Sequence, residues 1–305
     1  MADINPATLY STIEQTWIDT YEANLRHALQ QQDSKFAAAV MNGTFAGEKR
    51  RFTFTGKSKM HEIKTRLEKT NWQDVEFYSR WIFQRTFVDP WILDRNEDVK
   101  KMLTDPQSDR LMSAVYAARR KKDEVIIEAF DKTAKGGKNA ETNYAFNAST
   151  QEIGVQFGGT SNTGLTMKKL HELRARMDEA EVNPNDTQYL AISPRVLQKF
   201  LETEREVTGS TDYNTIKALY EGQISHYMGF EIIKSNMLPI NEGVRSCFAW
   251  TKSAMQLAVS TDIHLLGPVP HPDYNMNNAF EVEMACDAVR LYDECVFRIQ
   301  CEENA

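Results

Sequence analysis

No CxxC pair, no GxxxxGKS/T or GxGxxG loop, no HExxH helix and no GxSxG elbow occurs in this sequence. Those absences remove the usual signatures of paired zinc ligands, phosphate-cradling loops, metalloprotease helices and nucleophilic serine turns. Long apolar runs are missing too. No stretch reaches the roughly 18 apolar residues of a membrane-spanning helix, and the mean hydropathy is −0.53, so no membrane span is expected. The opening MADINPATLYSTIEQTW has no basic start followed by an apolar core and does not read as a secretory signal peptide. Its Met1 start shows no sign of a removed pro-segment.

Cysteine is scarce. Cys247, Cys286, Cys295 and Cys301 are the only four in 305 residues, and their spacing fits no zinc pattern. They read as small apolar residues in strands of a protein made in a reducing cytosol. The six histidines are scattered singly, with His264 and His271 flanking a Gly-Pro-Val-Pro loop. No metal, cofactor or catalytic residue is expected. Positive charge is also short: 36 Lys and Arg against 43 Asp and Glu leave a net charge of −7. A general nucleic-acid binder needs clustered cations on its surface. The local runs Lys49-Arg50-Arg51 and Arg119–Lys122 are the candidates for phosphate contact. In an acidic chain they read more readily as solvated or ion-paired faces.

What is present is a regular alternation of patterned segments in a chain with 41% hydrophobic and 26% charged residues, ordinary for a soluble protein and long enough for one large or two smaller domains. Leu9, Ile13, Trp17, Tyr21, Leu25 and Leu29 stripe a helix over 7–31 that has no neighbour in sequence to cover it. A short amphipathic piece, Phe36 to Val40, follows. Residues 46–90 are rich in Arg, Lys and Thr, with strand-like runs at Arg51–Thr55 and Val75–Phe87. Charge on both faces suits an extended hairpin over a neighbour's surface, or a solvated hairpin of one domain. Asp105-Pro106 then starts a long helix, with Asp105 as N-cap, and Lys135-Gly136-Gly137 ends it. A helix over 167–180 capped by Thr166, a strand Gln188–Ile192, a Ser193-Pro194 helix start, a helix over 213–221 and a strand interrupted by Gly229 make an α/β alternation. Pro239 is read as stopping that strand and releasing a loop. Phe280–Ala288 and Cys295–Cys301 read as half-buried antiparallel strands around a bend at Tyr292-Asp293-Glu294. They are expected to return against residues 91–160.

The candidates for chemistry are weak. GVQFGGTSNTG, with Gly154, Gly158 and Gly159, lacks the following Lys of a phosphate loop and reads as a flexible turn. Asp94, Glu97 and Asp98 precede the long helix, where carboxylates favour a helix start. His271 and Asp273 would be the dyad of an α/β hydrolase, which predicts a deep pocket near 264–275.

The order of segments carries more. FVDPWILDRNEDVKKMLTDPQSDRLMSAVYAARRKKDEVIIEAF, with Arg119-Arg120 and Asp123, resembles the entry into the spine helix of tailed-phage major capsid proteins of the Hong Kong 97-type fold. YLAISPRVLQKFLE and ALYEGQISHYMGFEIIKSNMLP resemble that family's A-domain, and DAVRLYDECVFRIQ its closing P-domain hairpin. These segments cover roughly 90–133, 187–240 and 280–301 in the family's order. The resemblance implies an α+β fold in four parts: an N-terminal arm over 1–45; an extended loop over 46–90; a P-domain over 91–165 and 275–305 with a spine helix over about 106–134; and an inserted A-domain over 166–274. It implies a protein that self-assembles through hexamers and pentamers into an icosahedral head shell around phage DNA, found in the virion and made in the host bacterial cytoplasm. The partners implied are other copies of the chain, scaffolding, portal and decoration proteins, and nonspecific contact with double-stranded DNA. A cellular compartment shell of the same fold is the alternative. The glutamate and Lys–Asn pair of cross-linking family members do not align here. Lys57 and Lys59 lie in the extended loop without that role.

Overall fold

In a computed structural model the described residues run from 31 to 303, apart from 32, 57, 59, 63–64, 67–68, 70–71, 73, 94–105, 160, 184 and 209–225. The helices expected over 7–31 and 213–221, the Asp105 cap, the carboxylates Asp94, Glu97 and Asp98, and Lys57 and Lys59 lie outside them, save Gln31. The chain divides into two compact units. One contains Thr86–Arg120 and Thr261–Met284; the other contains Ser34–Arg85, Lys121–Ser260 and Ala285–Ala305. Three elements run through both: helix α1 (Pro106–Asp131) and the long strands Met255–His271 and Asn277–Arg290.

Helix α1 has 26 residues, about 39 Å at 1.5 Å per residue. It starts on Pro106, whose missing N–H is no loss at a first helical position. It stops at Asp131, short of Lys135-Gly136-Gly137, the stop read from the sequence. Ala134–Gly136 is instead a strand, paired with the strand Phe77–Phe83 through Arg80↔Gly136 and Trp81↔Lys135. Gly136 is glycine for want of space rather than as a helix cap. A Cβ there would lie 2.6 Å from the Ser79 carbonyl oxygen and 2.4 Å from the Tyr144 ring.

Numbered along the chain, the strands are β1 (Met41–Thr44), β2 (Lys49–Thr55), β3 (Phe77–Phe83), β4 (Thr86–Leu93), β5 (Ala134–Gly136), β6 (Thr142–Tyr144), β7 (Glu152–Ile153), β8 (Gln188–Ile192), β9 (His226–Tyr227), β10 (Phe230–Lys234), β11 (Ile240–Asn241), β12 (Val244–Thr251), β13 (Met255–His271), β14 (Asn277–Arg290) and β15 (Val296–Glu302). Among them β2-β3-β5-β6 form a four-stranded sheet. The β2–β3 ladder runs from Lys49↔Phe83 to Thr55↔Phe77. The sequence suggested a hairpin unable to fill a core, yet its root does so. Ile82 is fully buried among Phe45, Ala134, Ala258, Val289 and Leu291. The expected strand over 75–87 is interrupted at Gln84-Arg85, where β3 gives way to β4.

A large core lies beneath the sheet β7-β15-β12-β8-β10-β9. Leu170, Leu173 and Met177 of helix α2 (Met167–Glu179) and Val196, Leu197 and Phe200 of helix α3 (Pro194–Thr208) pack on Leu190, Ile192, Phe230, Ala249, Phe297 and Ile299. The helix starts are those the sequence marks. Thr166 accepts from the Lys169 N–H, and Ser193 Oγ from the Val196 N–H, each satisfying an orphan donor. QYLAI is buried at every position because β8 lies between β12 and β10, parallel to β10. The two C-terminal strands appear as β14 and β15 but do not form the expected hairpin: β14 lies beside β13 in one sheet, and β15 bonds β7 on one side and β12 on the other in another.

Two readings change. Gly229 does not bend a strand. With Met228 it forms the two-residue loop of a β9–β10 hairpin, both residues at positive φ (50° and 85°) between the paired Tyr227 and Phe230, as a type I′ turn requires. After Pro239 the chain does not enter a long loop but pairs at once, β11 with β12. The Gly-Pro-Val-Pro stretch is strand, not loop, and lies within β13. Prolines are tolerated there because β1 covers only Gln256–Val259 of β13, and among the described residues no other strand pairs with the far part on that side.

Candidate assembly surfaces

The inner end of the N-terminal segment is bolted to α1. Asp123, fully buried, accepts from the Ser34 hydroxyl at 2.5 Å and the backbone N–H groups of Lys35 and Phe36 at 3.0 and 3.2 Å. Phe36 stacks on Trp250, whose indole N–H donates to the Ala39 carbonyl at 2.9 Å. The basic run that follows the first half of α1 is engaged within the chain. Arg119 pairs with Asp33 at 2.6 Å, Arg120 donates to the Gln31 carbonyl and Lys121 pairs with Glu124. The second basic candidate is placed differently. Lys49, Arg50 and Arg51 are all exposed on β2. Lys49 and Arg51 share one strand face, with their cationic ends 5.3 and 5.9 Å from the Trp81 ring.

Among the described residues, the β2–β3 hairpin carries the three most exposed large apolar side chains. Met60 and Trp72 are 102% and 89% exposed, and Phe77 68%. A second group, Leu265, Leu266, Val269, Tyr274 and Met276, is exposed around the β13–β14 connection. Scattered apolar side chains at a surface are ordinary, but clusters on extended elements mark contact sites.

The glycine-rich stretch after β7 holds a cation. Fully buried Lys169 of α2 donates to the carbonyls of Val155, Thr163, Gly164 and Gln300 at 2.8–3.0 Å. The loop thus presents carbonyls inward, the reverse of a phosphate cradle. Burial draws the Lys169 pKa below the ordinary lysine value. The sequence reading missed this residue. The available signal was its place four residues before Leu173 and eight before Met177, a charge on the buried stripe.

The remaining candidates are dispersed. His271 Nδ1 lies 4.0 Å from Asp273, which is 84% exposed. Two cavities, of about 410 and 430 Å³, are lined by Pro194, Arg195 and Arg245 and by Glu152, Val155 and Gln300 respectively, away from 264–275. Among the described residues no His, Cys, Asp and Glu group is arranged to hold a metal ion, and no helix is long and apolar enough to cross a membrane. No disulfide joins any of the four cysteines. The Cys247 thiol is pushed well up by its hydrogen bond with Cys301 and by burial. Beside the first cavity Glu303 accepts from Ser193 at 2.8 Å and from Arg245 at 2.6 Å. Burial pushes the Glu303 carboxyl up, but those hydrogen bonds outweigh it and hold the group below the usual range. Asp287 differs. Burial raises its pKa, one oxygen has no hydrogen-bond partner, and Arg85 lies 3.7 Å away while donating to Glu128 at 2.8 Å.

Comparison with known proteins agrees with this architecture. No curated protein sequence matches the chain. A cyanophage P-SCSP1u capsid structure superposes with TM-score 0.68 at 16% identity, covering 94% of this chain and 93% of the other. The capsid asymmetric unit of cyanophage Pam1 does so with TM-score 0.66 at 11% identity over the whole of both chains. The SrpI encapsulin complex of Synechococcus elongatus is also similar, at TM-score 0.59 and 12% identity over 97% and 96%. The family described as "Phage capsid protein" matches residues 13–303. With the Hong Kong 97-type fold and a family match over nearly its whole length, the chain belongs to the phage capsid protein family and is a major protein of the capsid shell.

Proposed function

We propose that copies of the chain close into an icosahedral shell through hexamers and pentamers and enclose double-stranded DNA. The carrying observation is the β2–β3 hairpin, whose Met60, Trp72 and Phe77 side chains face solvent while its root is anchored in the core through Ile82. Apolar groups held out on a firmly rooted element gain burial only on another molecule. Repeated head-to-tail contacts of this kind close into rings and shells when the rotation between copies is fixed. On this reading residues 1–45 are the arm, 46–90 the extended loop, 91–165 with 275–305 the P-domain and 166–274 the A-domain. Scaffolding, portal and decoration proteins are further partners. DNA contact is nonspecific and weak, consistent with a net charge of −7. The protein is made in the bacterial cytoplasm and ends in the virion.

The test is to replace residues 56–76 by Asn-Gly. Thr55 and Phe77 are cross-strand partners, so a two-residue turn closes the ladder without disturbing the root. The expected product is folded and forms no shells. Shells at the parental yield would overturn the role given to the loop. A cellular compartment shell is the second reading, favoured by the encapsulin likeness; a cargo enzyme rather than DNA inside the particles would support it.

A further inference from the structure

The two basic runs of the sequence meet different fates in the fold. Arg119 and Lys121 are paired with carboxylates of the same chain, Asp33 and Glu124. Lys49 and Arg51 are exposed on β2, and among the described residues neither forms an ion pair. Their cationic ends instead lie 5.3 and 5.9 Å from the Trp81 ring. The sheet β2-β3-β5-β6 keeps them outside. One of its faces, through Phe52, Ile82, Ala134 and Tyr144, belongs to a core cluster, so the alternate positions face solvent. Arg51 pairs with Trp81 and Trp81 with Lys135, which sets the three in one row across β2, β3 and β5. Lys135 is exposed and donates to the side chain of its own cross-strand partner, Asn143, at 2.7 Å. Lys49 stands two residues from Arg51, about 6.7 Å along the strand, and Lys135 two strands away, about 9.6 Å. The same face adds Thr53, Thr55 and Ser79 and carries no Asp or Glu along its ladders. In a chain of net charge −7, this is a patch of unneutralised positive charge with hydroxyl and amide donors beside it.

We infer that this outward face of the β2-β3-β5-β6 sheet is where the chain touches double-stranded DNA, through backbone phosphates held by Lys49, Arg51 and Lys135. The inference rests on the DNA-enclosing reading and adds the surface and the mode of contact. Charge complementarity selects the occupant: three cations with no carboxylate among them suit a dense line of phosphates. Bases are not read. The Trp81 indole N–H is committed to the Gly137 carbonyl at 2.8 Å, and its ring lies beside Lys49 and Arg51. The ring therefore holds the two cations in place rather than stacking on a base. Contacts to phosphate alone position a duplex without specifying its sequence. Three such contacts make a weak, salt-sensitive hold.

The experiment titrates the dissociated full-length subunit with a fluorescently labelled duplex of about 30 base pairs and mixed sequence, between about 50 and 200 mM NaCl. Affinity should fall about fortyfold over that range, a log–log slope of about −2.7 for three phosphates. Lys49→Gln, Arg51→Gln and Lys135→Gln should each reduce the slope by about 0.9, and the triple variant should bind at least tenfold more weakly at the lowest salt. Lys121→Gln, in the ion-paired run, should change neither. A parent that does not bind the duplex, or a triple variant that binds like the parent, would overturn the assignment. A Lys121→Gln loss as large as that of the three would move the contact to α1 and overturn it equally. Polyglutamate tests for an acidic protein partner: extended, it carries a charge about every 3.4 Å against about 1.7 Å along the duplex, so the duplex should bind more tightly. Tighter binding of polyglutamate would make an acidic polypeptide the occupant and reject DNA. If the triple variant does not fold, the three single variants carry the test, since each removes one exposed charge and the slope reads the number of phosphates held. A parent that binds the duplex through these residues yet forms no shells would count against the shell reading and leave this surface standing. Shells whose subunits bind the duplex regardless of the substitutions would overturn this surface alone.

Discussion

The Lys169 ammonium donates to the Gln300 carbonyl at 2.8 Å across 131 positions of sequence. Three further carbonyls, from Val155, Thr163 and Gly164, complete its surroundings. One side chain thereby ties α2, the loop after β7 and β15 together. Lys169→Met keeps the apolar stem but removes one donor from each of four carbonyls, of which Val155 and Thr163 keep backbone N–H partners, so unfolding should become easier by about 2 kcal/mol. Arg is not a substitute, because its planar fork cannot point at four oxygens around one centre. Denaturant unfolding of the dissociated subunit measures both.

Glu303 and Asp287 should respond to pH in opposite senses. The Glu303 pKa is held low in the folded chain, so its contribution is present above the ordinary glutamate value and is lost as pH falls through the folded value. Glu303→Gln weakens the pairing with Arg245 and Ser193 and should destabilise the subunit by about 2 kcal/mol at neutral pH, with a smaller difference in acid.

Asp287 has a raised pKa and an oxygen without a hydrogen bond. The folded chain therefore binds this proton more tightly than the unfolded chain does. Ionised Asp287 opposes folding, and stability is gained as pH falls through its folded pKa toward the ordinary aspartate value. Asp287→Asn should raise stability at neutral pH by about 1 kcal/mol and reduce that acid-side gain in a thermal unfolding series. A loss of stability at neutral pH would show that the carboxylate is instead paired through Arg85.

The hairpin of β9 and β10 offers a local test. Met228 and Gly229 both have positive φ, a geometry that Asn-Gly adopts with least strain. Met228→Asn should stabilise by about 0.5 kcal/mol, and Gly229→Ala should destabilise by about 1 kcal/mol. Unfolding midpoints at constant denaturant slope decide it.

Much of this arrangement is legible locally in the sequence. Thr166 and Ser193-Pro194 mark helix starts, QYLAI a strand buried on both faces, and Pro106 the start of the long helix. What escaped depended on distant partners. Gly136 reads as a helix stop because the close approach of Ser79 and Tyr144 is invisible along the chain. Pro268 and Pro270 read as loop because the short reach of β1 along β13 is set by a segment more than 200 positions earlier. Ile82 reads as part of a solvated hairpin because its core neighbours come from Phe45, Ala134, Ala258 and Val289. The Lys169 site was readable only as an anomaly, a charge on an apolar stripe, with nothing local to identify its four carbonyl partners. Likewise, Met228 beside Gly229 lacks the Asn or Asp that usually announces a two-residue turn.

The most direct measurement of the central claim is electron microscopy of the purified full-length chain, expressed alone and together with a candidate scaffolding protein. The account predicts closed shells, or the tubes and sheets that the same contacts make when closure fails. A chain that stays folded and monomeric under every condition, with no such assemblies, would contradict it.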